Sequence, residues 1–198
     1  MMKKTIAMAL VAAAMTAGSA SAQARAGTPA AGGRMTPGTV MVGGQAMLPT
    51  RDIVDNAVNS ADHTTLVAAV QAAGLAQTLK GRGPFTVFAP VNDAFENVPE
   101  ATVASLLRPE NKAALTKVLT YHVVAGRHTA ADIMRMIRAG NGSATLRTVS
   151  GGTLTAMMNG PMNVTLRDEM GNMASISTYD VLQSNGVIHV INKVLMPR

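Results

Sequence analysis

Cysteine and tryptophan are both absent from the 198-residue sequence, and aromatic residues are few. Without thiols the chain can form no disulfide, hold no cysteine-ligated zinc or iron–sulfur site, and carry no lipid on a cysteine at a cleavage site. Three phenylalanines and two tyrosines, among scattered basic residues, do not provide the stacking platform of a single-strand nucleic-acid binder. We therefore expect no nucleic-acid partner.

The apolar run at residues 6–17 is shorter than the ~20 residues that span a bilayer. It follows Lys3 and Lys4 and precedes Ala20-Ser21-Ala22. A basic start, a short apolar stretch and an A-x-A site are typical of a secretory signal peptide. We predict a signal peptide over residues 1–22, with cleavage after Ala24 as the alternative, and a secreted or periplasmic protein with no membrane span after cleavage.

Two segments follow the predicted cleavage site. Residues 23–48 are rich in Gly, Ala, Thr, Pro and Met and have no periodicity, which predicts a flexible linker. Residues 49–198 are long enough for one domain. Their first part has helical periodicity, and from Ala144 the period changes to two, with glycine turn signals between the runs. Helices followed by a strand meander predict an α+β fold.

The pattern also predicts single elements. Helices are expected over residues 52–58, from an N-cap at Asp62 to a terminating Gly74, and over 130–138 behind a capping box of Thr129 and Asp132. The predicted strands cover residues 85–89, 121–124, 144–149, 153–157, 163–166, 174–177 and 187–191.

Three stretches, in this order, resemble the fasciclin domain family: GPFTVFAPVNDAF at 83–95, LTYHVVAG at 119–126 and SNGVIHVI at 184–191. The resemblance implies a compact wedge, in which a β-sandwich packs against a layer of helices. It also implies an exported bacterial module for adhesion, in contact with proteins, cell surfaces or matrix polymers. His63 departs from the pattern, because the family usually has an aromatic residue there, commonly Phe.

Histidines are the residues most able to carry catalysis. His122 and His189 stand in the apolar motifs, but the sequence has no G-x-S-x-G nucleophile elbow. We predict no catalytic residue and no enzyme. Each histidine is interpreted as a hydrogen-bonded core group, with Asn92 and Asp93 as the partners of Tyr121-His122. The predicted structural polar network comprises Asn92, Asp93, Tyr121, His122 and His189.

Methionine offers an alternative function. The histidines show no H-x-x-H spacing, so we expect no metal site and no cofactor. Thioethers can bind Cu(I), or they can fill irregular gaps in a core. The alternative is therefore a periplasmic binder of copper or a small ligand. Its motivating methionines are Met157, Met158, Met162, Met170 and Met173.

A short strip before the third motif is a candidate contact site. In animal members of the family, short segments of an Asp followed by aliphatic residues just before the third motif are implicated in receptor contact, and Asp180-Val181-Leu182 keeps the pattern after Tyr179. A carboxylate can accept charge-assisted hydrogen bonds from a partner, and a tyrosine adds amphipathic surface. In the opposite interpretation, Asp180 supports a turn while Val181 and Leu182 lie in the core.

Overall fold

The computed structural model describes residues 38–198, so the predicted signal peptide and the first part of the predicted linker lie outside the described residues. This part of the chain contains seven α-helices and nine β-strands. The helices are α1 (Ile53–Asn59), α2 (Thr64–Ala73), α3 (Ala76–Leu79), α4 (Asn92–Glu96), α5 (Glu100–Leu106), α6 (Lys112–Tyr121) and α7 (Ala130–Ala139). The strands are β1 (Val40–Val42), β2 (Gln45–Met47), β3 (Phe85–Pro90), β4 (Val123–Ala125), β5 (Ser143–Arg147), β6 (Thr153–Met158), β7 (Val164–Arg167), β8 (Met173–Gln183) and β9 (Gly186–Ile191).

Seven of these strands form one mixed sheet in the order β4-β3-β9-β8-β7-β6-β5. β3 and β9 are parallel, and the other neighbours are antiparallel. The two edges of the sheet approach each other, because Val124 forms a bridge with Thr148 and the N–H of Val149 donates to the carbonyl of Val123 at 2.7 Å. Helices and a sheet that curls toward closure confirm the predicted α+β class.

Two hydrophobic cores lie on different sides of this sheet. The helix-side core joins α1, α2, α3 and α6 to the hairpin β1–β2 and to one face of β3 and β9. The strand-side core joins α7 to the meander β5–β8 and to the other face of β3 and β9. Buried members of the helix-side core include Val42, Met47, Ile53, Leu66, Val70, Val87 and Ile188. Buried members of the strand-side core include Phe88, Tyr121, Ile133, Ile137, Leu154, Leu166 and Leu195.

The hairpin β1–β2 occupies residues that composition assigned to a flexible linker. Val42 and Met47 are buried in the helix-side core, at 7% and 3% exposure. The turn between the two strands packs closely against Ser60. Gly43 in this turn has φ +58°, and a Cβ there would lie 2.7 Å from the Ser60 hydroxyl. The linker interpretation is therefore wrong for residues 40–47. Three-residue strands of mixed polarity carry almost no periodic signal, and tertiary packing fixes them.

Local signals correctly predicted the start of α7 and the end of α2. The capping box of Thr129 and Asp132 is present at the start of α7, and Gly74 ends α2 in the left-handed region at φ +72°. Two predictions were wrong. Asp62 lies in a 3-10 turn before α2 and does not cap it. Tyr121 ends α6, so that β4 begins only at Val123.

Candidate functional site

His122 follows the last residue of α6 and is 3% exposed. Its Nδ1 lies 2.8 Å from the carbonyl of Val118, and its Nε2 lies 3.0 Å from the backbone nitrogen of Leu195. A carbonyl only accepts, so Nδ1 carries the proton and Nε2 accepts from Leu195. Burial lowers the pKa of His122 to about 4. The imidazole is neutral with both nitrogens occupied, and it ties the C-terminal segment to α6.

Tyr121 extends from the same turn into the strand-side core and has no exposed surface. Its hydroxyl donates to the carbonyl of Thr153 at 2.7 Å and accepts from the N–H of Glu169 at 3.0 Å. Burial raises its pKa to about 12. The phenol therefore stays protonated and joins the ends of β6 and β7 to α6.

His189 lies on β9 and is fully buried. Its Nε2 lies 2.8 Å from the carbonyl of His128, and its Nδ1 accepts from the N–H of Asp180 at 3.3 Å. Its ring stacks on Phe88 at 5.7 Å and meets the edge of Tyr179 at 6.1 Å. Burial lowers the pKa of His189, so this imidazole is neutral as well.

The expected partners Asn92 and Asp93 are wrong. Asn92 instead begins α4 and joins it to the start of α2: its Oδ1 accepts from the N–H of Thr65 at 3.1 Å, and its Nδ2 donates to the carbonyl of Ala61 at 2.8 Å. Asp93 lies in the first turn of α4. The Val118 carbonyl lies one helical turn before His122. The other partners of Tyr121 and His122 are backbone groups of Thr153, Glu169 and Leu195, far along the chain, which no local pattern indicates.

Asp180, in the predicted contact strip, lies at a bulge of β8 and has φ +52°. Aspartate is among the few residues that adopt this left-handed conformation readily. Its Oδ1 accepts from the N–H of Ala130 at 2.8 Å. Ala130 is the first residue of α7, so the carboxylate satisfies an orphan donor of that helix. Asp180 thereby holds α7 against the sheet.

The rest of the strip also faces other parts of the chain. The hydroxyl of Tyr179 accepts from the N–H of Val164 at 2.7 Å, and the ring packs against the strand-side core. Val181 is 1% exposed and belongs to the helix-side core, while Leu182 is half-buried. These contacts agree better with the structural interpretation of the strip than with a contact site.

The methionines that motivated a copper site are distributed over both ends of the meander. Met162 lies in the β6–β7 turn, whereas Met170 lies in the β7–β8 turn. The four residues of β7 between these turns extend about 13 Å. Met157 and Met158 are consecutive on β6, so their side chains point to opposite faces, and Met158 packs on the strand-side core. The structure does not bring these five thioethers together.

The solvent-facing side of the meander is a surface that sequence reasoning missed. Ala144, Leu146, Leu154 and Ala156 face inward to α7, so the alternate positions face outward. Pairing registers place Thr145, Thr155, Arg167 and Met173 in one row across four strands. We call this side the outer face; it carries Ser143, Thr145, Arg147, Thr153, Thr155, Met157, Arg167, Met173 and Ser175.

The outer face is polar and basic. Arg147 and Arg167 are exposed, and the ion pairs found among residues 38–198 involve Lys80, Arg108 and Arg135 instead. The outward positions of the meander strands hold hydroxyl, arginine and methionine side chains. The alternation of Ser, Thr and Arg with apolar residues over 143–147 and 153–157 was the signal that could have found this face.

A cavity of about 80 Å³ lies in the helix-side core. Its wall is formed by apolar side chains of α1, α2, β3 and β9, and by His63 from the turn before α2. His63 Nδ1 is hydrogen-bonded to the Ser60 hydroxyl at 2.9 Å, whereas the buried Nε2 has no hydrogen-bond partner among the described residues. Burial lowers the pKa of His63 and outweighs two opposing effects, the charge of Asp62 and the nearby carbonyl of Ala89, which forms no well-aligned hydrogen bond with the ring.

Within the part of the chain that the structure describes, no group of three or more His, Asp or Glu side chains is arranged to hold a metal ion. No helix among residues 38–198 is both long and apolar enough to cross a bilayer.

Comparison with known proteins gives a consistent result over most of the described residues. A family model described as Fasciclin domain matches residues 61–197. The chain is 46% identical over 146 residues to protein sll1483 of Synechocystis sp., covering 73% of each sequence. It is 34% identical over 146 residues to the immunogenic protein MPB70 of Mycobacterium bovis, covering 71% of this chain and 66% of that protein.

Among solved structures, a FAS1 domain pair from the insect cell adhesion molecule fasciclin I superposes with a TM-score of 0.66 at 16% identity. The match covers 74% of this chain and 51% of the insect structure. At this identity the likeness concerns the fold.

Proposed function

The chain belongs to the fasciclin domain family, and we propose that it is an exported, non-enzymatic adhesion module that contacts proteins, cell surfaces or matrix polymers. The observation that carries the proposal is the family match over residues 61–197. The insect structure of the same fold comes from a cell adhesion molecule.

The state of His122 and His189 supports a role without catalysis at these two residues. A general base needs a free nitrogen within reach of a substrate proton. His122 and His189 use both ring nitrogens for backbone groups, and burial lowers the pKa of each. These side chains hold the fold together and leave no lone pair for proton transfer.

We place the contact surface on the outer face of the meander. Arg147 and Arg167 lie two strands apart and two residues out of register there, about 12 Å, so they can bind successive anionic groups of one partner. An arginine presents a planar fork of donors that suits carboxylate and phosphate groups, and neighbouring hydroxyls can add hydrogen bonds. The partner that fits best is therefore an anionic polymer or an acidic protein of the cell envelope or matrix.

The contact surface is tested by sedimentation of the full-length protein with isolated cell envelopes of its source bacterium. The double variant Arg147→Glu/Arg167→Glu should bind at least tenfold more weakly, because attraction becomes repulsion, and wild-type binding should weaken with added salt. Arg51→Glu/Arg82→Glu changes two exposed arginines away from the outer face, with the same change in net charge, and is the matched control. Equal binding by the double variant and wild type would remove the outer face from the proposal.

Export is tested separately by fractionation of the expressing cells. The protein should be recovered from the periplasm or the medium with its N-terminus at Gln23, following cleavage after Ala22. Recovery of the uncleaved chain in the cytoplasm would contradict the proposed site of action.

A further inference from the structure

We propose that the cavity in the helix-side core is a binding site for a small neutral molecule that has an apolar body and one hydroxyl group. The site is distinct from the outer face, which lies on the other half of the fold. It is formed by the space between α1, α2, β3 and β9, with the ring of His63 in its wall.

The size and lining of the cavity determine how large and how polar the main part of the ligand can be. About 80 Å³ is well above the ~10–15 Å³ that one water needs, and roughly half of the ~150 Å³ cavity known to hold benzene in another protein. The wall includes Ile53, Leu66, Val70 and Ile188, and none of the lining residues is charged. A charged ligand would lose its hydration without gaining a partner, which is costly in such a site. The body must be small, neutral and apolar.

The buried Nε2 of His63 determines which polar group the ligand carries. The residue is 3% exposed, and its Nε2 is the buried side-chain nitrogen or oxygen left without a partner in residues 38–198. A buried polar atom without a hydrogen bond is destabilising, so native structures normally provide a partner. The Ser60 hydroxyl can donate to Nδ1 or accept from it, so Nε2 can be either the donor or the acceptor. A hydroxyl group matches both states, because it both donates and accepts.

An entry route exists at one side of the cavity. The lining includes Gln71, Thr78 and Val149, which are exposed, with Val149 at 49%. A short chain can therefore enter between α2 and α3 and the edge of the sheet without unfolding of the helix-side core. His63 precedes the first residue of α2 and Gln71 lies near its end, about 12 Å apart along the helix, so the hydroxyl lies at the end of the ligand away from this opening.

The proposal is tested with 1-butanol and 1-fluorobutane, two probes of nearly equal size of which only the first has a hydroxyl. Titration of the full-length protein is followed by NMR of the Ile, Leu and Val methyl groups. Shifts should be confined to lining residues, and 1-butanol should bind roughly 3–10-fold more tightly, as one hydrogen bond provides. Equal affinities, or no shifts at the lining methyls, would overturn the proposal.

Two variants test the hydrogen bond to His63 and the volume of the cavity separately. His63→Phe, which restores the aromatic residue common in the family, should abolish the preference for 1-butanol, because it removes Nε2. Val70→Leu should weaken both probes, because it fills part of the cavity, whereas the matched change Val58→Leu lies on the exposed side of α1 and should alter neither. A preference that survives His63→Phe would overturn the assignment. The comparison of the two probes in wild type decides the question even where a variant fails to fold.

Discussion

The two cores of this fold differ in how tightly their side chains are packed. Most members of the strand-side core have no exposed surface, while every buried member of the helix-side core keeps at least a trace. The cavity of about 80 Å³ belongs to the helix-side core. Strands of a meander bring side chains into register every second residue. Short helices of four to ten residues meet at varied angles and leave space between them. One half of the fold is thus suited to present a rigid surface, and the other to admit a ligand.

Leucine truncation is the strongest test of that difference. Leu154→Ala removes a fully buried side chain from the strand-side core, and Leu66→Ala removes one that already borders the cavity. We expect losses of about 4 and about 2 kcal/mol in the free energy of unfolding, because loosely packed surroundings relax more easily around a deletion. Urea denaturation measures both. Equal losses would show that the two cores are packed alike.

The pH dependence of stability tests the buried histidine that lies between the cores. His122 has a pKa of about 4 in the folded protein against 6.5 when exposed, so the unfolded chain binds its proton first as the pH falls. The contribution of neutral His122 to the free energy of unfolding is fully present above about pH 6.5. It decreases toward pH 4, by about 3 kcal/mol over that interval. His63 and His189, whose pKa values are also lowered, add to the same trend.

Denaturation midpoints between pH 7 and pH 4 measure this slope. In His122→Ala the slope should be shallower, and at pH 7 the variant should be less stable by roughly 1–3 kcal/mol, because Leu195 loses its acceptor. A variant with the wild-type slope and melting temperature would contradict the assignment of His122 as a structural group.

The smallest expected effect concerns the bulge where β8 passes from one core to the other. Asp180→Ala should lower stability by about 1 kcal/mol, because the first N–H of α7 loses its acceptor and alanine is less suited to positive φ. Asp180→Asn keeps an acceptor and tolerates the same backbone, so it should remain near wild type in thermal unfolding. Unchanged melting of Asp180→Ala together with loss of envelope binding would return the strip of residues 179–182 to the contact surface.

Sequence patterns identified features whose cause is local. The Thr129–Asp132 capping box, Gly74 at the end of α2 and the alternating strands of the meander each depend on residues within a few positions of one another. The fasciclin motifs added the fold class, which the family match confirms.

Features that depend on distant contacts were not predictable in this way. His122 accepts from Leu195, and His189 donates to the carbonyl of His128, over separations of 73 and 61 residues. The cavity beside His63 is a property of how helices meet the sheet, and its only trace in the sequence is a histidine where the family commonly has Phe. Backbone partners carry no side-chain signature, so composition and periodicity cannot identify them.

The hairpin β1–β2 also determines where the protein can be shortened. The family match begins at residue 61, and the sequence pattern begins the domain at residue 49. Val42 and Met47 precede both boundaries, yet they form part of the cavity wall. A recombinant fragment begun at either of those boundaries would keep every fasciclin motif but lose that wall. A fragment begun at residue 49 would expose apolar surface of the helix-side core to water, and one begun at residue 61 would also lack α1. The minimal unit for expression, crystallisation or fusion to another protein therefore begins before residue 40, and homology boundaries alone would produce a fragment prone to aggregation.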